Sequence, residues 1–250
     1  MLTVQYYLQA DNVLIDLNKL IGKKLAIQFS GKIFCVSCQR ATKKSFSQGY
    51  CYPCFIKLAA CDICQVRPET CHFDLGTCRE PEWGEKNCFI SHTVYLACSP
   101  QLKVGITRTR QRMTRWIDQG ASYALPLMQV TNRKKAGELE VELKKTHADK
   151  TAWQMMLKGL ELNIDLEAAK AKALLELNQK FELDIEDVQD PFCFRYPVLE
   201  YPKKIISINL EKQTKFAGVL LGVRGQYLIF DSGVINIRKY SGYQINLQTC

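Results

Sequence analysis

The stretch VYLACSPQLKVGITRTRQRMTRW, residues 94–116, indicates the fold class of this 250-residue chain. It begins with a run typical of a β-strand, passes through a short spacer into a second strand, KVGIT, and ends in a basic helix. The next segment, TNRKKAGELEVELKKTH (residues 131–147), predicts a second helix. Two strands followed by two helices predict a small mixed α/β domain, which we place at residues 93–150 of an α+β protein.

Twelve cysteines are a large number for a chain of this size. Four of them form two CxxC pairs, CVSC and CYPC, which are separated by a short loop. Two such pairs place four thiolates at the corners of a tetrahedron, which is the geometry that Zn²⁺ prefers. We therefore predict a structural zinc site with the ligands Cys35, Cys38, Cys51 and Cys54.

A second cysteine-rich run follows, and its motif CDIC suggests half of another zinc site. The spacing does not select four ligands, and one or two of the candidates could instead be packed in the core, as free cysteine often is. Both runs belong to a predicted N-terminal domain, residues 1–92, which begins with short strands and holds one or two structural zinc ions. The open candidates for the second site are Cys61, Cys64, Cys71, His72, Cys78, Cys88 and His92.

The remaining chain predicts a helical connector and a β-rich end. Residues 151–190 are rich in Leu and Ala and acidic, which is typical of a helix with one face in water. Residues 191–250 alternate short strands with glycine-containing turns and predict a small β module. The two β-rich ends of the chain are expected to be able to pack together.

The net charge of +9 and the sequence pI of about 8.9 favour a polyanionic partner, above all nucleic acid, with DNA and RNA left open. No apolar stretch approaches the roughly 20 residues that a membrane span needs. The first residues lack the pattern of a signal peptide. We therefore expect a cytoplasmic protein with reduced cysteines and no membrane partner.

Within residues 93–150, two short motifs resemble those of the GIY-YIG nuclease superfamily, whose members share a strand ending in Tyr and a second strand ending in Val/Ile-Gly. Here TVY ends in Tyr95 and KVG ends in Gly105. The sequence departs from the family pattern at two positions, because Thr93 replaces the first-motif glycine and Lys103 replaces the second-motif tyrosine.

The two predicted helices extend this resemblance, since the family carries an arginine on the first and a glutamate on the second. The arginine is most simply Arg112, with Arg115 as the other candidate one turn further on. The segment KAGELEVELKK puts Glu140 at the glutamate position. The resemblance implies that Tyr95 orients or deprotonates water, that the arginine holds a phosphate, and that Glu140 binds Mg²⁺ or Mn²⁺.

Three functions follow from these observations. The first is a zinc-stapled, divalent-metal-dependent endonuclease, in which Lys103 contacts phosphate or acts as a base. The second is a catalytically inactive DNA- or RNA-binding module, and the third is a zinc scaffold for protein contacts. The structural alternatives are that Tyr95 is a half-buried sheet residue, that the arginines form a solvated helix face, and that Glu140 pairs with Lys144 at i, i+4 spacing.

Overall fold

The computed structural model describes residues 1–10, 12–148, 150–160, 164–181 and 191–249. Helices and strands alternate along the chain, which confirms the predicted α+β class. The strands are β1 Leu2–Thr3, β2 Tyr7–Ala10, β3 Val13–Asp16, β4 Lys24–Phe34, β5 Ala41–Thr42, β6 His92–Cys98, β7 Leu102–Arg108, β8 Tyr123–Val130, β9 Phe192–Arg195, β10 Lys215–Arg224, β11 Tyr227–Phe230, β12 Gly233–Asn236 and β13 Tyr243–Thr249. The α-helices are α1 Tyr52–Lys57, α2 Pro81–Asn87, α3 Arg112–Asp118, α4 Arg133–Leu143, α5 Trp153–Met156 and α6 Leu166–Asn178. None of the described helices has the length and apolar character needed to cross a bilayer.

The described residues fall into two compact units, and the chain passes between them several times. Unit 1 is drawn from Met1–Leu2, Leu58–Met156 and Leu160–Phe194, and unit 2 from Thr3–Lys57, Leu157–Gly159 and Arg195–Cys250. This division differs from the four consecutive segments 1–92, 93–150, 151–190 and 191–250 that the sequence suggested. The predicted N-terminal domain is split after Lys57, so the two cysteine-rich runs lie in different units.

Unit 1 is built on a sheet with the strand order β1-β9-β8-β6-β7, in which β6 pairs antiparallel with both β7 and β8. One face of β6 carries Val94 and Leu96, which pack against apolar residues of α4 and α6. Every residue of β6 is buried, because helices or aromatic side chains cover both faces of this central strand. The sequence run HTVYLAC accordingly lacks a charged or exposed face, and its two polar residues at the start, His92 and Thr93, are buried as well.

Helix α6 lies in the region predicted to be a helical connector with one face in water, and its other face contributes to the core of unit 1. Its residues Ala173 and Leu177 are fully buried in the same cluster as Leu139 of α4. The helix begins at an aspartate cap, since Asp165 accepts a hydrogen bond of 2.9 Å from the N–H of Ala168. The rest of the predicted connector, residues 161–163 and 182–190, lies outside the described residues.

The second cysteine-rich run joins unit 1 because a turn of the chain packs closely on α4. A Cβ on Gly137 of α4 would lie 2.6 Å from the Cβ of Pro68 and 2.7 Å from the backbone nitrogen of Glu69. Only glycine allows the helix and the turn to approach this closely. The turn is one of four short 3-10 helices, Ala59–Cys61, Ile63–Gln65, Pro68–Thr70 and Phe73–Leu75, that precede α2.

Unit 2 joins the two β-rich ends of the chain in one sheet with the order β12-β11-β10-β4-β13, as the sequence analysis expected. The long strand β4 pairs antiparallel with β10 on one side and with β13 on the other. Leu25 and Ile27 alternate with the less buried Lys24, Ala26 and Gln28 along β4 and pack in a core that includes Phe216 and Phe230. Strands β2 and β3 form a separate hairpin.

Candidate functional site

Four cysteines of unit 2 form a cluster at the end of β4. Cys35 follows the last residue of β4, and Cys51 and Cys54 lie at the start of α1. All four sulfurs, including that of Cys38, lie within 4.8 Å of one another. The Sγ atoms of Cys38 and Cys51 are 3.7 Å apart, which matches the edge of about 3.8 Å in a tetrahedron of sulfurs around Zn²⁺. The cluster is therefore compatible with structural zinc, at the four positions that the CxxC spacing predicted.

The two arms of this cluster are fastened together by backbone packing. The N–H of Val36 donates to the carbonyl of Gly49 at 2.9 Å. A Cβ on Gly49 would lie 2.7 Å from a methyl group of Val36, and the φ of +132° at this glycine favours a residue without a side chain. Gly49 therefore lets the hairpin that delivers Cys51 lie directly against the loop that holds Cys35 and Cys38.

The surroundings shift the pKa values of two thiols of the cluster in opposite directions. Burial raises the pKa of Cys35, but backbone N–H groups of Cys38, Cys51 and Ser37 donate to its sulfur and lower the pKa to about 6. Burial and hydrogen bonds from the neighbouring thiols raise the pKa of Cys54 to about 12. The first thiolate forms easily while a further one is opposed by the first, so the cluster favours a cation between the sulfurs.

The second set of zinc candidates is dispersed in unit 1. The oxygen, sulfur and nitrogen donors of Asp62, Cys64 and His72 lie within 4.8 Å of one another, and the sequence analysis did not include Asp62. The Asp62 carboxylate also forms an ion pair with Nε of Arg79, at 2.7 Å. His92 lies in β6, where its Nδ1 is 2.7 Å from the carbonyl of Ile90. Cys61 ends a 3-10 helix, while a small cavity nearby is lined by Cys64, Cys71, Cys78 and Cys88.

Tyr95 lies on the face of β6 opposite to Val94, and its ring extends across the edge strand β7. Its cross-strand partner is Gly105, where a Cβ would come within 2.6 Å of the phenol oxygen. The glycine thus opens a path along which the hydroxyl reaches the edge of the sheet. Nε2 of Gln119 donates a hydrogen bond of 2.6 Å to this oxygen. Tyr95 is 1% exposed, so it is fully buried rather than half-buried.

Two charged side chains from different helices, Arg115 and Glu140, shift the pKa of the Tyr95 hydroxyl in opposite directions. Burial raises the pKa of Tyr95, and the Glu140 carboxylate on α4 adds to that increase. The positive charge of Arg115 on α3, together with hydrogen bonds from Gln119 and Arg115, lowers the pKa and partly offsets the increase. Arg115 is therefore a neighbour of the phenol, while Glu140 contributes the smallest of these influences, through its charge alone.

The other arginine candidate has a different neighbour. The guanidinium carbon of Arg112 lies 5.6 Å from the ring centroid of Phe192, a cation–π contact on α3. Phe192 in turn packs against Trp116, whose ring edge meets the ring of Tyr95 at a centroid distance of 5.7 Å. Of the two arginines, Arg115 is the one that the structure places beside the phenol.

Glu140 is 9% exposed. Its Oε2 forms an ion pair with Nζ of Lys144 at 3.2 Å, so the i, i+4 pair considered in the sequence analysis is present. Arg133 stands at the start of the same helix. Burial lowers the pKa of Arg133, the nearby Cys88, Cys64 and Glu140 raise it, and the charge of Arg115 lowers it. The sequence analysis did not select Arg133, although its place at the first turn of a basic-to-acidic helix was visible.

Lys103 is buried two residues before Gly105 on β7. Its Nζ donates a hydrogen bond to Oγ1 of Thr151, in the chain that follows α4. The next residue, Val104, donates its N–H to the carbonyl of Ala148 at 2.8 Å. The lysine at the position of the second motif is therefore tied to the chain beyond α4.

The comparisons with known proteins give a family without a described activity. No curated protein matches the chain, and no solved structure matches it either. One family, described as "protein of unknown function (DUF2797)", matches residues 22–245, which include the four-cysteine cluster and the surroundings of Tyr95. The match covers most of the sequence, and the chain belongs to the DUF2797 family.

Proposed function

We propose that unit 1 binds a phosphodiester of nucleic acid beside Tyr95 and hydrolyses it with a divalent metal ion, in the manner of the GIY-YIG nucleases that residues 93–150 resemble. The observation that carries this proposal is the path of Tyr95. Its hydroxyl passes over Gly105, receives hydrogen bonds from Gln119 and Arg115, and is within the influence of the Glu140 charge. A phenol, a guanidinium and a carboxylate so arranged are suited to phosphodiester chemistry.

Tyr95 would serve as a hydrogen-bond donor in this reaction. Its raised pKa keeps the hydroxyl protonated at neutral pH. Because Gln119 donates to the phenol oxygen, the phenolic hydrogen is directed elsewhere, toward a water molecule or a phosphate oxygen. The tyrosine therefore orients the nucleophilic water or stabilises the phosphoryl charge, and it does not need to lose its proton.

Arg115 would hold the phosphate. Its side chain is exposed, so a polyanion can reach it, and a guanidinium can contact two phosphate oxygens at once. Arg133 lies deeper and adds positive charge behind it. The net charge of +9 supports a polyanionic partner through release of counterions.

Glu140 would hold Mg²⁺ or Mn²⁺ through its carboxylate. A single carboxylate suits Mg²⁺, which keeps several water ligands and takes substrate phosphate as a further ligand. When bound, the ion would neutralise charge on the phosphoryl oxygens. The Glu140 carboxylate would have to leave its ion pair with Lys144 or interact with Lys144 and the metal ion at the same time.

In unit 2 we propose that Cys35, Cys38, Cys51 and Cys54 hold a structural Zn²⁺. All four protein ligands are sulfurs, which leaves no open position for a substrate, so this ion would have no part in the chemistry. Its role would be to fix the loops between β4 and α1 in unit 2.

A second function, nucleic-acid binding without cleavage, is favoured by two specific observations. Glu140 is occupied by the ion pair with Lys144. Lys103 takes the place of the second-motif tyrosine and is tied to Thr151 in the chain beyond α4. Both features reduce the catalytic groups available beside Tyr95 while leaving the arginines in place.

The test compares cleavage and binding by the purified full chain with Mg²⁺ or Mn²⁺ and labelled DNA and RNA. A nuclease should cleave at least one of them, and Glu140→Gln should lower the rate by at least about 100-fold without preventing binding. Glu138→Gln, two positions before Glu140 on the same helix, is the matched control and should keep the rate. Salt-dependent binding without cleavage would support nucleic-acid binding as the function and reject the nuclease. Absence of binding at low salt would reject both functions.

A further inference from the structure

The chain between Leu58 and Ser91 in unit 1 has little hydrophobic core of its own. It consists of four 3-10 helices and the seven-residue α2. Its larger aliphatic side chains point outward, since Ile63, Val66 and Leu75 are 57%, 75% and 78% exposed. A segment built in this way needs a cross-link or a bound metal to keep one conformation.

Four cysteines of this segment line one small cavity, and they are spread over its whole length. They are Cys64, Cys71, Cys78 and Cys88. The remaining wall is largely apolar and includes Phe73 and Phe89, whose ring centroids are 4.4 Å apart. Besides the Asp62 carboxylate and the Gln65 amide, the polar groups of this lining are the four sulfurs, which is a donor set suited to a closed thiolate site.

Short contacts bring the two ends of the segment to the cavity. Nε2 of Gln65 lies 3.9 Å from Sγ of Cys64 and 3.7 Å from Sγ of Cys88. Sγ of Cys78 lies 3.5 Å from the position of a Cβ on Gly84, so it is packed against α2. The sulfurs face one space without all lying within 4.8 Å of one another, and a bound ion would draw them inward by side-chain rotation.

A mixed donor set is also close, but its groups already have partners. The group comprises Asp62, Cys64 and His72. The Asp62 carboxylate is paired with Arg79 at 2.7 Å and with the His72 ring at 3.5 Å. Nδ1 of His72 is 2.8 Å from the hydroxyl of Thr77. This network connects the turns of the segment by itself, so the sulfurs are the better candidates for a metal.

We propose that Cys64, Cys71, Cys78 and Cys88 form a second metal site, which takes a thiophilic divalent ion of the Zn²⁺ class. The thiols lose their four protons to solvent when the ion binds, and four thiolates fill its tetrahedral coordination. The ion is structural. It fixes the turn that packs on α4 and the carbonyl of Gln65, which accepts a hydrogen bond of 2.7 Å from Nη2 of Arg133. This inference does not depend on the proposed nuclease function.

Zinc content of the full chain, measured by native mass spectrometry, tests the proposal. The wild type should hold two zinc ions, and Cys71→Ser and Cys78→Ser should each hold one. Cys51→Ser should also hold one, and the double variant Cys51→Ser/Cys78→Ser none. Two controls should keep both ions: Cys193→Ser, in strand β9, and His72→Ala, in the competing donor set.

Two results would overturn the second site: a wild type with a single zinc, or loss of one zinc in His72→Ala together with its retention in Cys78→Ser. A second measurement avoids variants that fail to fold. Replacement of zinc by Co²⁺ in the wild type should give the charge-transfer and ligand-field bands of two tetrahedral all-thiolate sites. Bands of one such site, or of one thiolate site and one mixed site, would contradict the assignment.

Discussion

The hydroxyl of Tyr95 passes over Gly105, its cross-strand partner, so closely that a Cβ there would lie 2.6 Å from the phenol oxygen. The tyrosine comes from the buried centre of the sheet, and its oxygen lies at the edge strand beside Arg115 of α3 and Gln119, which follows that helix. Only glycine on the edge strand permits this crossing. The pairing of a tyrosine on one strand with Val-Gly on the next therefore has a steric cause in this chain.

Gly105→Ala should destabilise unit 1 by about 1–3 kcal/mol, because the added methyl group overlaps the phenol and forces Tyr95 out of place. Urea unfolding measures this cost. In a Tyr95→Ala background the ring is absent, so the same glycine substitution should cost much less. Equal costs in the two backgrounds would show that the methyl group meets something other than Tyr95.

Removal of the metal from the four-cysteine cluster should unfold the loops between β4 and α1. We expect Cys51→Ser to lose more than about 3 kcal/mol of stability in unit 2, because metal binding at such a site contributes directly to folding. Hydrogen exchange should show the loss of protection at β4 and β5 while the strands β6 and β8 keep theirs. A chelator should reproduce the effect in the wild type. If hydrogen exchange stayed the same after a chelator had removed the metal, a structural role for the metal would be contradicted.

Arg115→Gln should weaken nucleic-acid binding more than Arg112→Gln does. Arg115 is exposed and adjacent to the Tyr95 hydroxyl, whereas Arg112 lies over the ring of Phe192. Loss of one phosphate contact should lower the slope of log affinity against log salt by about one. Titrations at several salt concentrations with both variants provide the comparison. A larger effect of Arg112→Gln would show that Arg112, and not Arg115, contacts the phosphate.

The parts of the structure that the sequence predicted are those with a local cause. The cluster of Cys35, Cys38, Cys51 and Cys54 follows from spacing alone, since two CxxC loops leave few other arrangements. Within residues 93–150 the polarity of short segments predicted β6, β7, α3 and α4, but it missed β8, which lies between the two helices. The sequence also indicated that the two β-rich ends could pack together, but not that β4 would pair with β10 and β13.

The parts that the sequence did not predict depend on packing between distant segments. The split after Lys57 results from the contact of Pro68 with Gly137, and neither residue is unusual in its own stretch. Arg112 and Arg115 are one helical turn apart, so only the rotation of α3 relative to the sheet decides which one meets Tyr95. Arg133 reaches the same region from the start of another helix, which no spacing rule describes.

His92 should make the protein less stable in mildly acidic solution. The residue is fully buried in β6, and within the described residues its Nε2 has no hydrogen-bond partner. Burial, together with the positive charges of Arg133 and Arg108, lowers its pKa from 6.5 to about 4, although a hydrogen bond with the carbonyl of Ile90 acts in the opposite direction. The unfolded chain therefore binds a proton at a pH where the folded one does not, and stability falls as the pH drops from 6.5 towards 4.

Between pH 7 and pH 5 this difference amounts to about 2 kcal/mol. Urea unfolding at the two pH values should show that His92→Gln loses less stability on acidification than the wild type, by roughly that amount. The comparison within one pH pair separates His92 from the cysteine clusters, because both proteins carry the same thiols. An imidazole resonance of His92 that titrates near pH 6.5 in the folded protein would exclude this explanation, since the ring would then take up its proton without cost to the fold.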